Sequence, residues 1–207
     1  MRDLTPTSYA LLALLGVRPW STYELTKQVD RTFRWYWRRR DSLVYAEVKN
    51  LVEHGLATAR KSSTGRRLRT TYTITPRGRA ALRRWMAIPG TGPDLEFEAL
   101  IKIAFADLGH RDDLLATLAA VRQNAESTLA QALRQTSDYL DHGGPSPERL
   151  HVIALTAKFL LEYWNLVAEW AQWAERHVDR WPHVDRAEGI DIPLDAFKPP
   201  RPWRHTP

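Results

Sequence analysis

The chain has 207 residues, 43% of them hydrophobic, which suffices for one large domain or two small ones with packed cores. It has no cysteine, so disulfides, thiolate zinc sites and a cysteine nucleophile are excluded. The net charge of +6 is uneven: residues 1–89 hold 18 Lys and Arg against 6 Asp and Glu, while residues 90–207 hold 12 against 18, so a polyanionic partner is expected for the first half alone.

No apolar run approaches the roughly 18 residues that a membrane span needs, and Met1-Arg2-Asp3-Leu4-Thr5-Pro6 lacks a signal-peptide pattern, so a soluble cytoplasmic protein is expected. Thr5 followed by Pro6 marks a helix start, with Tyr9, Leu12, Ala13 and Leu15 as its core face and Gly16 at its end. Arg18-Pro19-Trp20 is a turn. Ser21-Thr22-Tyr23-Glu24 has capping-box spacing and opens a second helix that buries Tyr23, Leu25 and Val29 and exposes Lys27 and Arg31. In the connector from Phe33 to Arg40, the rings are expected to anchor the segment to the core and the arginines to meet phosphate or water.

Ser42 is expected to cap a third helix whose buried face is Val44, Tyr45, Val48, Leu51 and Val52. Ala46, Glu47, Lys49 and Asn50 are then assigned to its exposed side. Gly55 ends it. Leu56 to Lys61 pairs with Arg69 to Ile74 across a tip from Ser62 to Arg69, and Thr75-Pro76 opens a fourth helix running to about Met86. A helix followed by a basic hairpin suits duplex DNA, with the helix in a major groove and the hairpin on the backbone. Lys49 and Asn50 carry the chemistry to read guanine and adenine edges, and Ser42 or the Tyr45 hydroxyl can bond a phosphate. Arg60, Lys61, Arg66, Arg67 and Arg69 gather five charges on the hairpin, a tip that repels itself unless an anion is present.

The stretch Tyr45-x-x-Val48-x-x-Leu51-x-x-x-Gly55-Leu56, the stretch Gly65-Arg66-Arg67-x-Arg69-x-x-Tyr72-x-Ile74-Thr75-Pro76-x-Gly78-Arg79-x-x-Leu82, and Thr22-Tyr23-Glu24-Leu25 together resemble the PadR family of bacterial transcriptional regulators. The resemblance spans residues 4 to about 86 and departs from the family at Thr22, where glycine is usual, and at Val48, where leucine is usual. It implies a winged helix-turn-helix, a helical C-terminal region used for dimerisation, and repression relieved by a small ligand. Carried over by position, it places Tyr45, Lys49, Gly65, Arg66 and Arg67 near DNA.

Ile88 to Pro93 is a linker of helix breakers. Phe97, Leu100, Ile101, Ala104, Phe105 and Leu108 predict an amphipathic helix ending near Gly109, and Leu114, Leu118, Val121, Ala125, Leu129, Ala132 and Thr136 predict another reaching about Leu140. Ser146-Pro147 restarts the chain as a last long helix with two adjacent apolar stripes. One is Val152, Leu155, Phe159, Leu166, Trp170 and Trp173; the other includes Ile153, Ala157, Leu160, Trp164, Val167, Ala171, Ala174 and Val178. Phe159, Leu160, Trp164, Val167, Ala171 and Val178 are assigned to a dimer interface, while Trp164, Trp170 and Trp173 are candidate walls of a pocket for an aromatic effector. The Pro-rich tail is expected to be extended, docked by Trp181, Phe197 or Trp203.

The expected fold is mainly α: a winged helix-turn-helix of three helices plus a two-stranded wing over 1–88, an antiparallel helical dimerisation and effector region over 94–180, and the tail over 181–207. The expected function is a homodimeric repressor of palindromic double-stranded DNA, responsive to a small aromatic ligand, with no membrane partner, no cofactor and no metal. The seven histidines lack metal-ligand spacing, and no catalytic triad or phosphate-binding glycine loop is present, so an enzyme is not expected. The rivals are a winged-helix protein-interaction module and an enzyme acting through the acidic half.

Overall fold

A computed structural model describes residues 3–34, 36–37, 41–64, 67–144 and 146–198, with backbone alone at 41–42, 63–64, 67–68 and 138. Trp35, Arg38 to Arg40, Gly65, Arg66 and Trp203 lie outside the described residues, as do the side chains of Ser42 and Arg67. The chain divides into two compact units, residues 1–93 and 94–207.

The first unit runs α1 (Pro6–Val17), β1 (Trp20–Ser21), α2 (Thr22–Phe33), α3 (Asp41–Glu53), β2 (Ala57–Thr64), β3 (Arg67–Ile74) and α4 (Pro76–Met86). Three helix starts carry the caps that their sequences signal. Thr5 and Ser8 cap one another's backbone at α1, Ser21 and Glu24 do so at α2, and the Thr75 hydroxyl accepts from the Gly78 N–H at α4. Each bond satisfies an N–H that the first turn of a helix leaves unpaired. Gly16 lies inside α1, which continues to Val17, and α3 begins at Asp41, so Ser42 sits in its first turn instead of capping it.

The sheet has three strands, in the order β1-β3-β2, all antiparallel. The expected two-stranded wing is therefore rooted by a third short strand. Trp20 pairs with Tyr72 and Ser21 with Thr71, and the Trp20 indole N–H donates to the Leu14 carbonyl at 2.8 Å. Leu11, Leu12, Leu15, Leu25, Val44, Val48 and Leu51 meet Leu56, Tyr72, Ile74 and Ala81 in one core. The connector is anchored by its rings, as the sequence suggests: Phe33 packs against this core, and the Trp37 indole N–H donates to the Thr7 hydroxyl.

α3 ends in a Schellman arrangement. Gly55 adopts φ +67°, its N–H donates to the Val52 carbonyl, and the Leu56 N–H reaches back to Leu51. The Leu56 carbonyl then accepts from the Thr75 N–H at 3.0 Å, while the Thr75 hydroxyl donates to the Gly55 carbonyl at 2.8 Å. Both ends of the β2–β3 hairpin are thereby tied together. Gly78 makes this closure possible, because a Cβ there would stand 2.1 Å from the Leu56 oxygen. Gly78→Ala should therefore destabilise the protein by about 1–3 kcal/mol, the usual cost of overpacking. Thermal unfolding checks this, and an unchanged midpoint contradicts it.

The second unit holds α5 (Glu98–Ala104), α6 (Arg111–His142) and α7 (Leu150–Val178). Leu114 and Leu118 of α6 pack with Val178 of α7, Arg122 bonds Glu175, and Arg111 donates to the Trp181 carbonyl. Rising numbers on α6 meet falling numbers on α7, so the two helices are antiparallel. Buried Ala125, Ala132 and Ala171 leave room for close approach. The helix expected from Phe97 to Leu108 is shorter than its pattern: α5 has seven residues, none buried, and a single 3-10 turn follows at Ala106–Leu108. Ile103 and Ala106 pack on the α6–α7 cluster, while Ile101 and Leu108 stay 64% and 82% exposed. The tail beyond α7 is not wholly extended. Trp181 and Val184 pack against the α6–α7 cluster, and Leu194–Phe197 forms a 3-10 turn with Phe197 exposed.

Candidate nucleic-acid interface

α3 is wrapped on more sides than its pattern suggests. Val44, Val48 and Leu51 are fully buried, but so are Glu47 at 3% and Asn50 at 4% exposure. The Ser8 hydroxyl of α1 donates to the Glu47 carboxylate in a buried hydrogen bond. Neither amide atom of Asn50 has a hydrogen-bond partner among the described residues. Asn50 therefore cannot reach a base edge, and its assignment as a contact is corrected. Sequence polarity placed it outward, whereas the helix turns this side into the domain. Tyr45, expected in the core, is 42% exposed, and Lys49 one turn later is exposed too. The free edge of α3 thus presents Tyr45 and Lys49 at i, i+4.

A second exchange occurs on α2. Tyr23 was expected inside but is 64% exposed, with the Lys27 ammonium 4.5 Å from its ring centre. That geometry is a cation–π contact on the surface.

The wing presents Arg60 and Lys61 exposed on β2. Arg69 on β3 is engaged elsewhere: its Nη2 donates to Glu24 Oε2 at 2.7 Å. That same oxygen accepts from the Ser21 N–H at 2.9 Å and the Ser21 hydroxyl at 2.6 Å. The Ser21 hydroxyl and N–H, and after them the Arg69 guanidinium, hold the Glu24 carboxyl well below the usual carboxylate range, at about 2. Arg69, expected as a free phosphate contact, is a strut between the wing and the cap of α2. The capping-box spacing is visible in the sequence, but a partner 45 residues away is not.

The sign of the pH dependence follows from this shift. A carboxyl whose folded-state value is depressed from 4.5 to about 2 adds stability that is complete above pH 4.5 and is lost as pH falls through 2. The stability difference between wild type and Glu24→Gln should be constant from neutral pH down to about pH 5 and shrink below it. Urea unfolding across pH measures this, and a difference independent of pH contradicts it.

In the second unit, Trp164 lines a cavity of about 630 Å³ beside α5, α6 and α7. Trp170 and Trp173, expected on the same wall, are not part of it. Trp170 packs on the α6–α7 cluster and meets Phe97 edge-on at 6.3 Å, and Trp173 lies against His177 at 4.6 Å. The dimer assignment on α7 also changes. Ala171 is 0% and Val178 4% exposed, both covered within their own unit, whereas Val152, Leu155, Phe159 and Leu166 are exposed at 42, 74, 55 and 63%. Of the residues assigned to the dimer interface, Ala171 and Val178 face inward, whereas Phe159 faces out with Val152, Leu155 and Leu166. Among the described residues no cluster of His, Asp or Glu could hold a metal ion, and no helix is long and apolar enough to cross a membrane.

Three helices, a cap-rooted hairpin and an exposed helix edge beside basic strand residues define the winged helix-turn-helix class. Residues 11–84 match the family described as Transcriptional regulator PadR-like family, and this segment is similar to that family. It is 31% identical over 102 residues to the negative transcriptional regulator PadR of Bacillus subtilis (strain 168), a match covering 47% of this chain and 54% of that protein. The match thus spans about half of that relative's length. The fold is also that of Bacillus subtilis PadR in complex with operator DNA, at a TM-score of 0.72 and 21% identity, covering 83% of this chain and 98% of the other. Bacillus subtilis PadR in complex with p-coumaric acid matches at a TM-score of 0.66 and 20% identity, covering 86% and 99%.

Proposed function

We propose that this protein is a cytoplasmic, homodimeric repressor that binds palindromic duplex DNA and is released from it by a small aromatic ligand. The observation that carries the reading is the pairing of an exposed Tyr45–Lys49 edge on α3 with exposed Arg60 and Lys61 on the adjoining wing. α3 enters the major groove, where Lys49 bonds guanine and Tyr45 a phosphate. The wing follows the backbone through Arg60 and Lys61, joined by Gly65, Arg66 and Arg67 at its tip and by Ser42 at the start of α3. Negative regulation is supported by the curated Bacillus subtilis relative, and an aromatic ligand by the p-coumaric acid complex of that protein.

Dimerisation is supported by the exposed apolar stripe of Val152, Leu155, Phe159 and Leu166 on a helix of 29 residues, about 43 Å long. A partner helix would remove this stripe from water, and two-fold symmetry then sets two half-sites about one helical turn apart or a multiple of it.

Salt dependence of operator binding tests the assignment of charges. Arg60→Ala and Lys61→Ala should each lower the slope of log affinity against log salt by about one, as should Arg66→Ala and Arg67→Ala. Arg69→Ala should leave the slope unchanged, because its charge is already answered by Glu24. Unaltered slopes in the first four variants, or a full unit lost in the last, contradict the reading.

A further inference from the structure

We infer that the C-terminal unit contains a binding cavity for a planar aromatic compound that carries a hydrogen-bond acceptor and no negative charge. Its regulatory meaning rests on the effector reading above; the binding itself does not. The cavity, about 630 Å³, falls within the range of about 300–1,000 Å³ typical of small-molecule sites. Phe97, Tyr163 and Trp164 supply aromatic wall, and Ala120 and Val121 of α6 add apolar wall beside Thr117 and Asn124. Tyr163 and Trp164 meet edge to face at 5.2 Å, so their rings present different planes to an occupant.

Two features select the ligand's chemistry. The Trp164 indole N–H is buried without a hydrogen-bond partner among the described residues, a state that an acceptor on the ligand can relieve. The charged groups on the wall are Glu96, Glu98 and Lys102. Lys102 is already paired with Glu98 at 2.9 Å, and Glu96 has no ion-pair partner among the described residues. An aryl carboxylate entering the cavity therefore meets an unanswered carboxylate and finds the one ammonium occupied. A neutral ring avoids that repulsion, and an aryl ammonium gains from Glu96 and from the ring faces.

The test uses the full chain and three methoxycoumarin probes bearing an aminomethyl, a methyl or a carboxymethyl group, with binding read by fluorescence anisotropy. The aminomethyl and methyl probes should bind about tenfold more tightly than the carboxymethyl probe, and Glu96→Gln should narrow the gap to about threefold or less. Ala120→Trp, which fills the cavity from an exposed position on α6, should abolish binding of all three with an unchanged helical circular dichroism spectrum. Thr117→Phe serves the same purpose should the first variant unfold. Equal or tighter binding of the carboxymethyl probe overturns the ligand class. Binding that survives the filling variants, or none by any probe, overturns the site. A probe that binds the cavity without loosening operator DNA leaves the site standing and overturns the effector reading instead.

Discussion

One carboxylate oxygen joins three parts of the N-terminal unit. Glu24 Oε2 accepts from the backbone and hydroxyl of Ser21 and from the guanidinium of Arg69. The first two bonds start α2; the third brings in β3, which already pairs with Ser21 through the β1 ladder. β3 is therefore held twice to the same helix cap, once by backbone at Ser21 and once by charge at Glu24. This joint also decides which arginines remain available. On the proposed function, a guanidinium with an ionised partner at 2.7 Å adds little net attraction for DNA, which leaves Arg60 and Lys61 as the exposed cations of β2.

A second joint closes the hairpin at its base. Leu56 takes the last turn of α3 through its N–H and the first residue before α4 through its carbonyl. Gly78 allows α4 to sit against that carbonyl without a Cβ between them. Together the two joints make α3, the wing and α4 a single mechanical piece, so a helix edge and a strand can be presented to one ligand in fixed register. The core beneath supplies the stability, with Leu12, Leu25, Val48 and Leu51 each fully buried.

The legible parts of this molecule were those with local chemistry. Thr5-Pro6, Ser21 with Glu24, Gly55 and Thr75-Pro76 each carry a backbone signal within four residues, and each element begins or ends where that signal lies. Facing was less legible. Glu47 and Asn50 are polar and read as surface, yet Ser8, 39 residues earlier, turns out to be Glu47's partner in the interior. Tyr23 reads as core, yet it lies outside under a lysine. On α7 two neighbouring stripes are about equally apolar, so periodicity alone could not say which one α6 covers; Ala171 and Val178 went inward and Phe159 outward. α5 has a convincing amphipathic pattern, yet only part of it, Ile103, packs on the α6–α7 cluster, and Ile101 stays exposed. Long-range partners decided all of these, and a one-dimensional pattern does not carry them.

On the proposed function, α3 and the wing of each of two subunits read one half of a two-fold operator. Footprinting of the full chain on duplex DNA, with methylation protection at guanine in the major groove, tests it most directly. The expected result is two symmetric protected half-sites with centres about one helical turn apart or a multiple of it, each with major-groove protection flanked by backbone protection. Protection of a single unsymmetric stretch, or protection confined to the backbone and independent of sequence, would contradict it.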